Sequence, residues 1–302
     1  MIKFTLLLIF LSITAFSNTI TPIPNHLKIN KEKAQLGKLL FNDTRLSRND
    51  TISCASCHFL KEGGDDNLKV SIGINGLKGE LNAPTVLNSV FNFRQFWDGR
   101  AKTLQEQVLG PIENPVEMDN DFKILVPKLK QTEYKQLFLN IYKEGITKES
   151  ISDAISEYEK TLITPNSPFD RYLRGDKNAI TKIQKEGYEL FKEKGCISCH
   201  HGINIGGNLY SKFGVMINPD IKNLGKFNLT KNENDKYSFK VPSLRNIEKT
   251  PPYFHDGRVS DLNEVVKLMT LYQLGRDISD AEVFKIVEFL KSLNGEIKVG
   301  KE

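Results

Sequence analysis

Apolar residues recur at helical spacing in short blocks, separated by glycine, proline and polar runs. Lys31 to Phe41 sets Leu36, Leu39 and Leu40 on one face and predicts a helix. Segments 101–109, 121–130, 133–143 and 148–163 read the same way. Thr164-Pro165-Asn166-Ser167-Pro168 interrupts the pattern and marks a domain boundary. Phe169 to Arg174, closed by Gly175, opens the second half. Thr181 to Gln184 has capping-box form and starts a helix to about Lys194, with Gly195 as its stop. Residues 202–240 are polar and glycine-rich and predict loop. Asp261 to Met269 and Ser279 to about Leu293 finish the chain as helices, the second opened by the box Ser279-Asp280-Ala281-Glu282. The pattern predicts an all-α fold with long irregular loops and little strand.

The start of the chain departs from this pattern. Lys3 precedes an apolar run from Phe4 to Leu11, and Ala15-Phe16-Ser17 ends it with small residues at the positions a signal peptidase reads. Residues 1–17 therefore predict a secretory signal peptide, too short for a comfortable membrane span, with an uncleaved anchor as the alternative. No later stretch is apolar enough for stable membrane insertion. The 302 residues suit two domains after the signal, 18–165 and 166–302. The net charge of +5 is spread out, with no Lys/Arg block that would predict nucleic-acid binding. A mildly basic surface suits an acidic redox partner through electrostatic steering.

The two halves repeat each other. Gly37, Leu40 and Phe41 match Gly187, Leu190 and Phe191. Pro84-Thr85-Val86-Leu87-Asn88 pairs with Pro242-Ser243-Leu244-Arg245-Asn246. Phe96-Trp97-Asp98-Gly99-Arg100 pairs with Phe254-His255-Asp256-Gly257-Arg258, both pairs at one constant spacing of 158 residues. The unit is one helical domain used twice.

Each half also carries C-x-x-C-H: Cys54, Cys57 and His58 in the first, Cys196, Cys199 and His200 in the second. Together the two copies use all four cysteines of the chain. Two thiols on one turn reach the two vinyl groups of a porphyrin, and the histidine that follows faces the iron as its axial ligand. Vicinal disulfides, a four-thiolate zinc site or a redox pair need no histidine there, twice. The motifs therefore predict two covalently bound c-type haems in two tandem cytochrome-c-like domains. Such haem is attached outside the cytoplasm, so signal and motifs together predict the periplasm.

A haem with protein ligands on both faces carries electrons, whereas an open face binds peroxide, oxygen or another small ligand. For the second haem, Met269 near a helix end is the candidate sixth ligand, with Met216 in a loop competing; core filling is the plainer role for Met269. In the first half, Pro111 stands where Met269 stands in the second. Pro111 and Pro115 predict a rigid loop that brings Glu117 over the first haem, with Gln107 nearby. A carboxylate there can relay a proton between peroxide oxygens, and Gln107 can hold peroxide or water. Ordinary surface positions are the plainer reading of both residues.

The chain resembles the bacterial dihaem cytochrome c peroxidases over essentially all of its mature length. The resemblance rests on Asn82 to Asn88, Gln95 to Arg100, Gly110 to Met118, Pro252 to Arg258 and Tyr272-Gln273-Leu274-Gly275. It implies reduction of hydrogen peroxide to water with electrons from a small c-type cytochrome or a cupredoxin. It makes the first domain the low-potential peroxidatic one, with Gln107 and Glu117 in its pocket. It makes the second, held by His200 and Met269, the high-potential domain that takes electrons in. It implies that Trp97 conducts electrons between the haems, although a buried core aromatic would look the same. It also implies a calcium ion held by the Asn82 side chain and the Thr250 and Pro252 carbonyls, and a homodimer.

One position departs from the family. Many members carry a histidine in a Ser-Ile-Gly-His-Gly loop, where it caps the resting peroxidatic haem; here the loop reads Ser71-Ile72-Gly73-Ile74-Asn75-Gly76. Ile74 cannot ligate iron, so the first haem is expected to rest without a protein sixth ligand, unless Lys69 or Lys78 supplies one. A dihaem oxidase that modifies a partner protein is the alternative within the superfamily. A non-catalytic dihaem electron carrier or sensor is the alternative outside it.

Overall fold

The structure is a computed structural model that describes residues 19–297; the signal peptide expected at 1–17 lies outside them. The described chain is mostly helical. The first half holds α1 (Lys31–Phe41), α2 (Leu104–Glu113), α3 (Phe122–Leu129), α4 (Tyr134–Leu139) and α5 (Lys148–Glu159). The second holds α6 (Pro168–Leu173), α7 (Lys182–Glu193), α8 (Phe227–Thr230), α9 (Leu262–Leu274) and α10 (Asp280–Lys291). Two short strands, β1 (Tyr210–Lys212) and β2 (Ser238–Lys240), pair antiparallel within the glycine-rich region, Tyr210 opposite Lys240.

The ends of these helices follow local chemistry. Thr181 and Ser279 cap α7 and α10 through reciprocal boxes with Gln184 and Glu282, as the sequence predicts. Two expectations need correction. The stretch from Pro111 does not begin a loop: α2 runs through Pro111 to Glu113, and only Asn114 to Met118 turn away. Pro111 removes one backbone donor, but the helix ends two residues later and few bonds are lost. The helix after the second Asp-Gly-Arg turn runs past Met269 to Leu274, where Gly275 takes the left-handed conformation that closes it.

The same helix crossing builds both halves. In the first, α1 packs across α5 with Gly37 at the contact, where a Cβ would stand 1.9 Å from the Ala154 carbonyl oxygen. In the second, α7 packs across α10 with Gly187 there, and a Cβ would stand 1.9 Å from the Lys285 carbonyl oxygen. Phe41 then meets Tyr158 at 5.3 Å between ring centroids, and Phe191 meets Phe289 at 5.2 Å. Each crossing anchors its own apolar cluster, one around Leu40, Phe41, Leu125 and Ile155, the other around Phe169, Phe191, Ile286 and Phe289.

The chain ends cross between the clusters. Ile20 belongs to the second cluster, and Ile297 packs against the first. A buried ion pair holds the N-terminal stretch in place: Arg245 Nη1 lies 2.7 Å from Asp170 Oδ1, Arg245 Nη2 donates to the Thr21 carbonyl, and Asp170 accepts from the Ile23 amide.

Candidate active site

Both C-x-x-C-H motifs fold as a single 3-10 turn, Cys54–Ser56 and Cys196–Ser198, directly beside their domain's helix crossing. Phe41 stands 6.4 Å from His58, and its counterpart Phe191 stands 6.5 Å from His200, centroid to centroid. The His58 Nδ1 lies 2.9 Å from the Gly64 carbonyl, and the His200 Nδ1 lies 3.4 Å from the Ile205 carbonyl. A carbonyl on Nδ1 fixes the ring and leaves Nε2 to face a metal. Burial lowers the pKa of both imidazoles, His200 to about 4, so they stand neutral, the form that ligates.

Each motif opens into a cavity. The first is lined by Cys54, Cys57, His58, Gln107 and Glu117; the second by Cys196, Cys199, His200 and Met269. The four thiols are unpaired, and burial pushes Cys54 up to about 12 and Cys57 and Cys196 to about 11. Among the described residues no three His, Cys, Asp or Glu side chains converge as they would on a zinc ion. Unpaired thiols two by two, a neutral histidine after each pair and a roomy cavity fit two covalently held haems. Of the two methionines in competition, Met269 lines the cavity of His200, whereas Met216 is 60% exposed on a loop packed against Gly275.

The turn after α2 contributes Asn114, Val116 and Glu117 to the lining of the first cavity. The Asn114 side-chain amide donates to Glu117 Oε1 at 2.5 Å. Burial raises the Glu117 pKa, while the Asn114 hydrogen bond and the Arg100 charge oppose the shift. The Ile74 loop backs this turn: the Ile74 amide donates to the Glu117 carbonyl at 2.8 Å, and Gly73 lies so close to Val116 that a Cβ would stand 2.1 Å from its carbonyl oxygen. Ile74 is itself buried, and His58 is the only histidine among the described residues that lines this cavity. Lys78 lies on its rim and Lys69 does not.

Trp97 lines both cavities, and its Nε1 donates to the Asn82 carbonyl at 2.8 Å. Asn82, Thr250 and Pro252 share one wall of the second cavity with Asp65. Asp65 Oδ1, and Oδ2 of the adjacent Asp66, are buried without a hydrogen-bond partner, and burial pushes Asp65 up to about 7.

Sequence reasoning passed over several residues of this region. Arg100 lines the first cavity, stacked on Phe96 with its guanidinium 3.5 Å from the ring centroid. Its signal is present in the repeated Asp-Gly-Arg, which sets the register of the repeat and carries the family resemblance without pointing to a role for Arg100. Glu159, at the end of α5, faces the same cavity fully enclosed. Lys240 lines both cavities. Glu159 and Lys240 carry no local signal, since a lone charge in a helix or a polar loop reads as solvent-facing.

A sequence model of the di-haem cytochrome c peroxidases matches residues 31–178, and one of cytochrome c matches residues 184–294. The chain is 47% identical over 290 residues to the cytochrome c551 peroxidase of Nitrosomonas europaea, covering 94% of this chain and 86% of that one. This chain belongs to the di-haem cytochrome c peroxidase family. It is also 50% identical to the cytochrome c peroxidase Ccp of Escherichia coli K12 over 283 residues, 91% of this chain; it spans only 61% of that longer relative. Among solved structures it is similar to a MauG-like protein associated with microbial copper homeostasis, with a TM-score of 0.77, 28% identity and coverage of 92% and 93% of the two chains.

Proposed function

We propose that this chain reduces hydrogen peroxide to two waters, taking two electrons from a small c-type cytochrome or a cupredoxin and two protons from solvent. The observation that carries the reading is the asymmetry of the two cavities: Glu117 and Gln107 line the first, and Met269 lines the second. Haem held by Cys54, Cys57 and His58 would supply the iron for peroxide chemistry, and haem held by Cys196, Cys199 and His200 would supply a centre for electron entry.

The chain's own residues do the rest. Glu117, made more basic by burial, takes the proton of the inner peroxide oxygen and returns it to the outer one, which leaves as water. Asn114 holds that carboxylate in place, and Gln107 hydrogen-bonds the peroxide or the departing water. Met269, which lines the cavity of His200, would give a bound haem a thioether ligand, and such a ligand would raise its potential toward that of the donor. Trp97 offers the route between the haems. The domains fall at 18–165 and 166–302.

With Ile74 in place of a ligating residue, this loop would offer a bound first haem no ligand, and the enzyme would need no reductive unlocking. The enzyme works in the periplasm as a homodimer after cleavage of residues 1–17. A calcium ion would be held by the Asn82 side chain and the Thr250 and Pro252 carbonyls; the unpartnered carboxylate oxygens of Asp65 and Asp66 support this, since they can hold the waters of a hard cation.

The test is steady-state peroxide turnover with reduced cytochrome c. Glu117→Gln is expected to lower turnover by a factor on the order of 10²–10⁴, the usual weight of an acid–base group, while both haems stay attached. Unchanged turnover overturns the assignment. The oxidised protein is expected to show one high-spin and one low-spin haem and to react without a lag after oxidation; two low-spin haems overturn the open-site reading.

A further inference from the structure

Lys240 ends β2 at the boundary between the two halves. Its amide donates to the Trp97 carbonyl at 2.8 Å, and its side chain lines both cavities together with Asn82, Asn92 and Trp97. The residue is 4% exposed. Among the described residues no carboxylate lies within ion-pair reach of its ammonium, and no carbonyl or side-chain oxygen accepts from it. Burial alone depresses its pKa, to about 8, with no neighbouring charge opposing the shift.

An ammonium buried without a counter-ion costs several kcal/mol, so such groups are paired in stable structures. The one surface Lys240 does face is the pair of cavities. Arg245, the other fully enclosed cation among the described residues of the second half, has its carboxylate in Asp170. Arg100, on the first cavity, has Asp98. Lys240 is left for an anion that the cavities bring with them. A haem presents two acidic groups, its propionate carboxylates, and both cavities fit a haem.

We propose that Lys240 is the counter-ion of a haem propionate at the seam between the two cavities, beside Trp97, and that its positive charge raises the reduction potential of that haem. The proposal rests on the two-haem reading above. Reduction adds negative charge to the haem, so a fixed cation nearby favours the reduced form. Removing that cation leaves the propionate uncompensated and lowers the potential. Because Lys240 touches Trp97 through its backbone amide, a side-chain substitution leaves that contact in place.

The test is potentiometry of both haems, followed optically, in the full-length holoprotein and in Lys240→Met, Lys240→Gln and Lys240→Arg. Covalent haem is counted first as the pyridine haemochrome. In the neutral variants at least one haem is expected to lose tenfold or more in its reduction equilibrium, a fall of 59 mV for a one-electron couple. Lys240→Arg is expected to keep both potentials. Unchanged potentials in a neutral variant that carries two haems overturn the proposal, and Lys240→Gln serves if Lys240→Met does not fold. A wild-type protein carrying fewer than two haems overturns instead the two-haem reading on which the proposal stands.

Discussion

Asn88 and Asn246, 158 residues apart and equivalent in the repeat, donate their side-chain amides to the same hydroxyl, Thr164 Oγ1, at 2.8 and 3.0 Å. Both asparagines hold the left-handed conformation, with φ of 60°. The Asn88 side-chain oxygen accepts in turn from the Thr164 amide, and that of Asn246 accepts from the Gly295 amide. All three side chains are buried. The two halves are thus joined at a polar clasp made from corresponding residues of each and centred on the linker between them.

Thr164→Val keeps the shape of that residue and removes its acceptor. Two buried amide donors then lose a partner, each at a cost of about 1–3 kcal/mol. Chemical denaturation is expected to show a loss of at least 2 kcal/mol, with α-helical content unchanged. A variant as stable as the parent would mean that the clasp contributes nothing.

Gly37→Ala and Gly187→Ala should behave as a matched pair. In each, the new Cβ meets a backbone carbonyl oxygen at 1.9 Å, so the crossing helices must separate. Overpacking of this kind costs about 1–3 kcal/mol or more. Each is expected to lower the melting temperature and to loosen the haem of its own domain, seen as a change in that haem's visible spectrum alone.

Glu159 gives a pH dependence whose sign can be worked out. Burial without a partner pushes its carboxyl up to about 8, whereas in the unfolded chain it ionises near the usual ~4.3. The folded state therefore holds a proton that the unfolded state releases. The Glu159 contribution to stability is greatest below ~4.3, falls as pH rises, and levels off above about 8. The loss across that window is on the order of a few kcal/mol. Urea unfolding at pH 5.0 and pH 8.5, about either end of that window, is expected to show a smaller difference for Glu159→Gln than for the parent.

Met269→Leu preserves volume and removes the thioether. The second haem is expected to fall in potential and to lose its low-spin spectrum, with haem content unchanged. Met216→Leu is the control and should alter neither, since Met216 lies on an exposed loop away from the cavity. A change in the second haem from Met216 instead would reverse the ligand assignment.

Much of this architecture is legible in the sequence because it depends on local chemistry. Thr181 and Ser279 announce their helices through capping boxes, and Lys31–Phe41 forms over the span its apolar period marks. The repeat shows which residues must be equivalent before any coordinates are known. What escapes the sequence is set by enclosure. In α5 nearly every residue from Ser150 to Glu159 is buried, polar ones included, because helices and a cavity surround it. Glu157 and Glu159 look solvent-facing in one dimension and are not. Lys240 is hidden in the same way: a short strand inside an apparently featureless loop carries it to the place where two cavities meet. Pro111 misleads in the other direction, since a proline near a helix end is a weaker break than one at its centre.

The exchange of chain ends bears on the order in which the molecule can be assembled in time. A chain made from its N-terminus delivers Ile20 early, yet the cluster that receives it is completed only by Val283 to Leu293. The first cluster, whose helices emerge early, gains Ile297 last. Synthesis order and spatial order are interleaved, so each cluster gains one apolar residue from the far end of the described chain. A chain cut at the linker and expressed as separate pieces would leave each piece with an open seam filled only by the other.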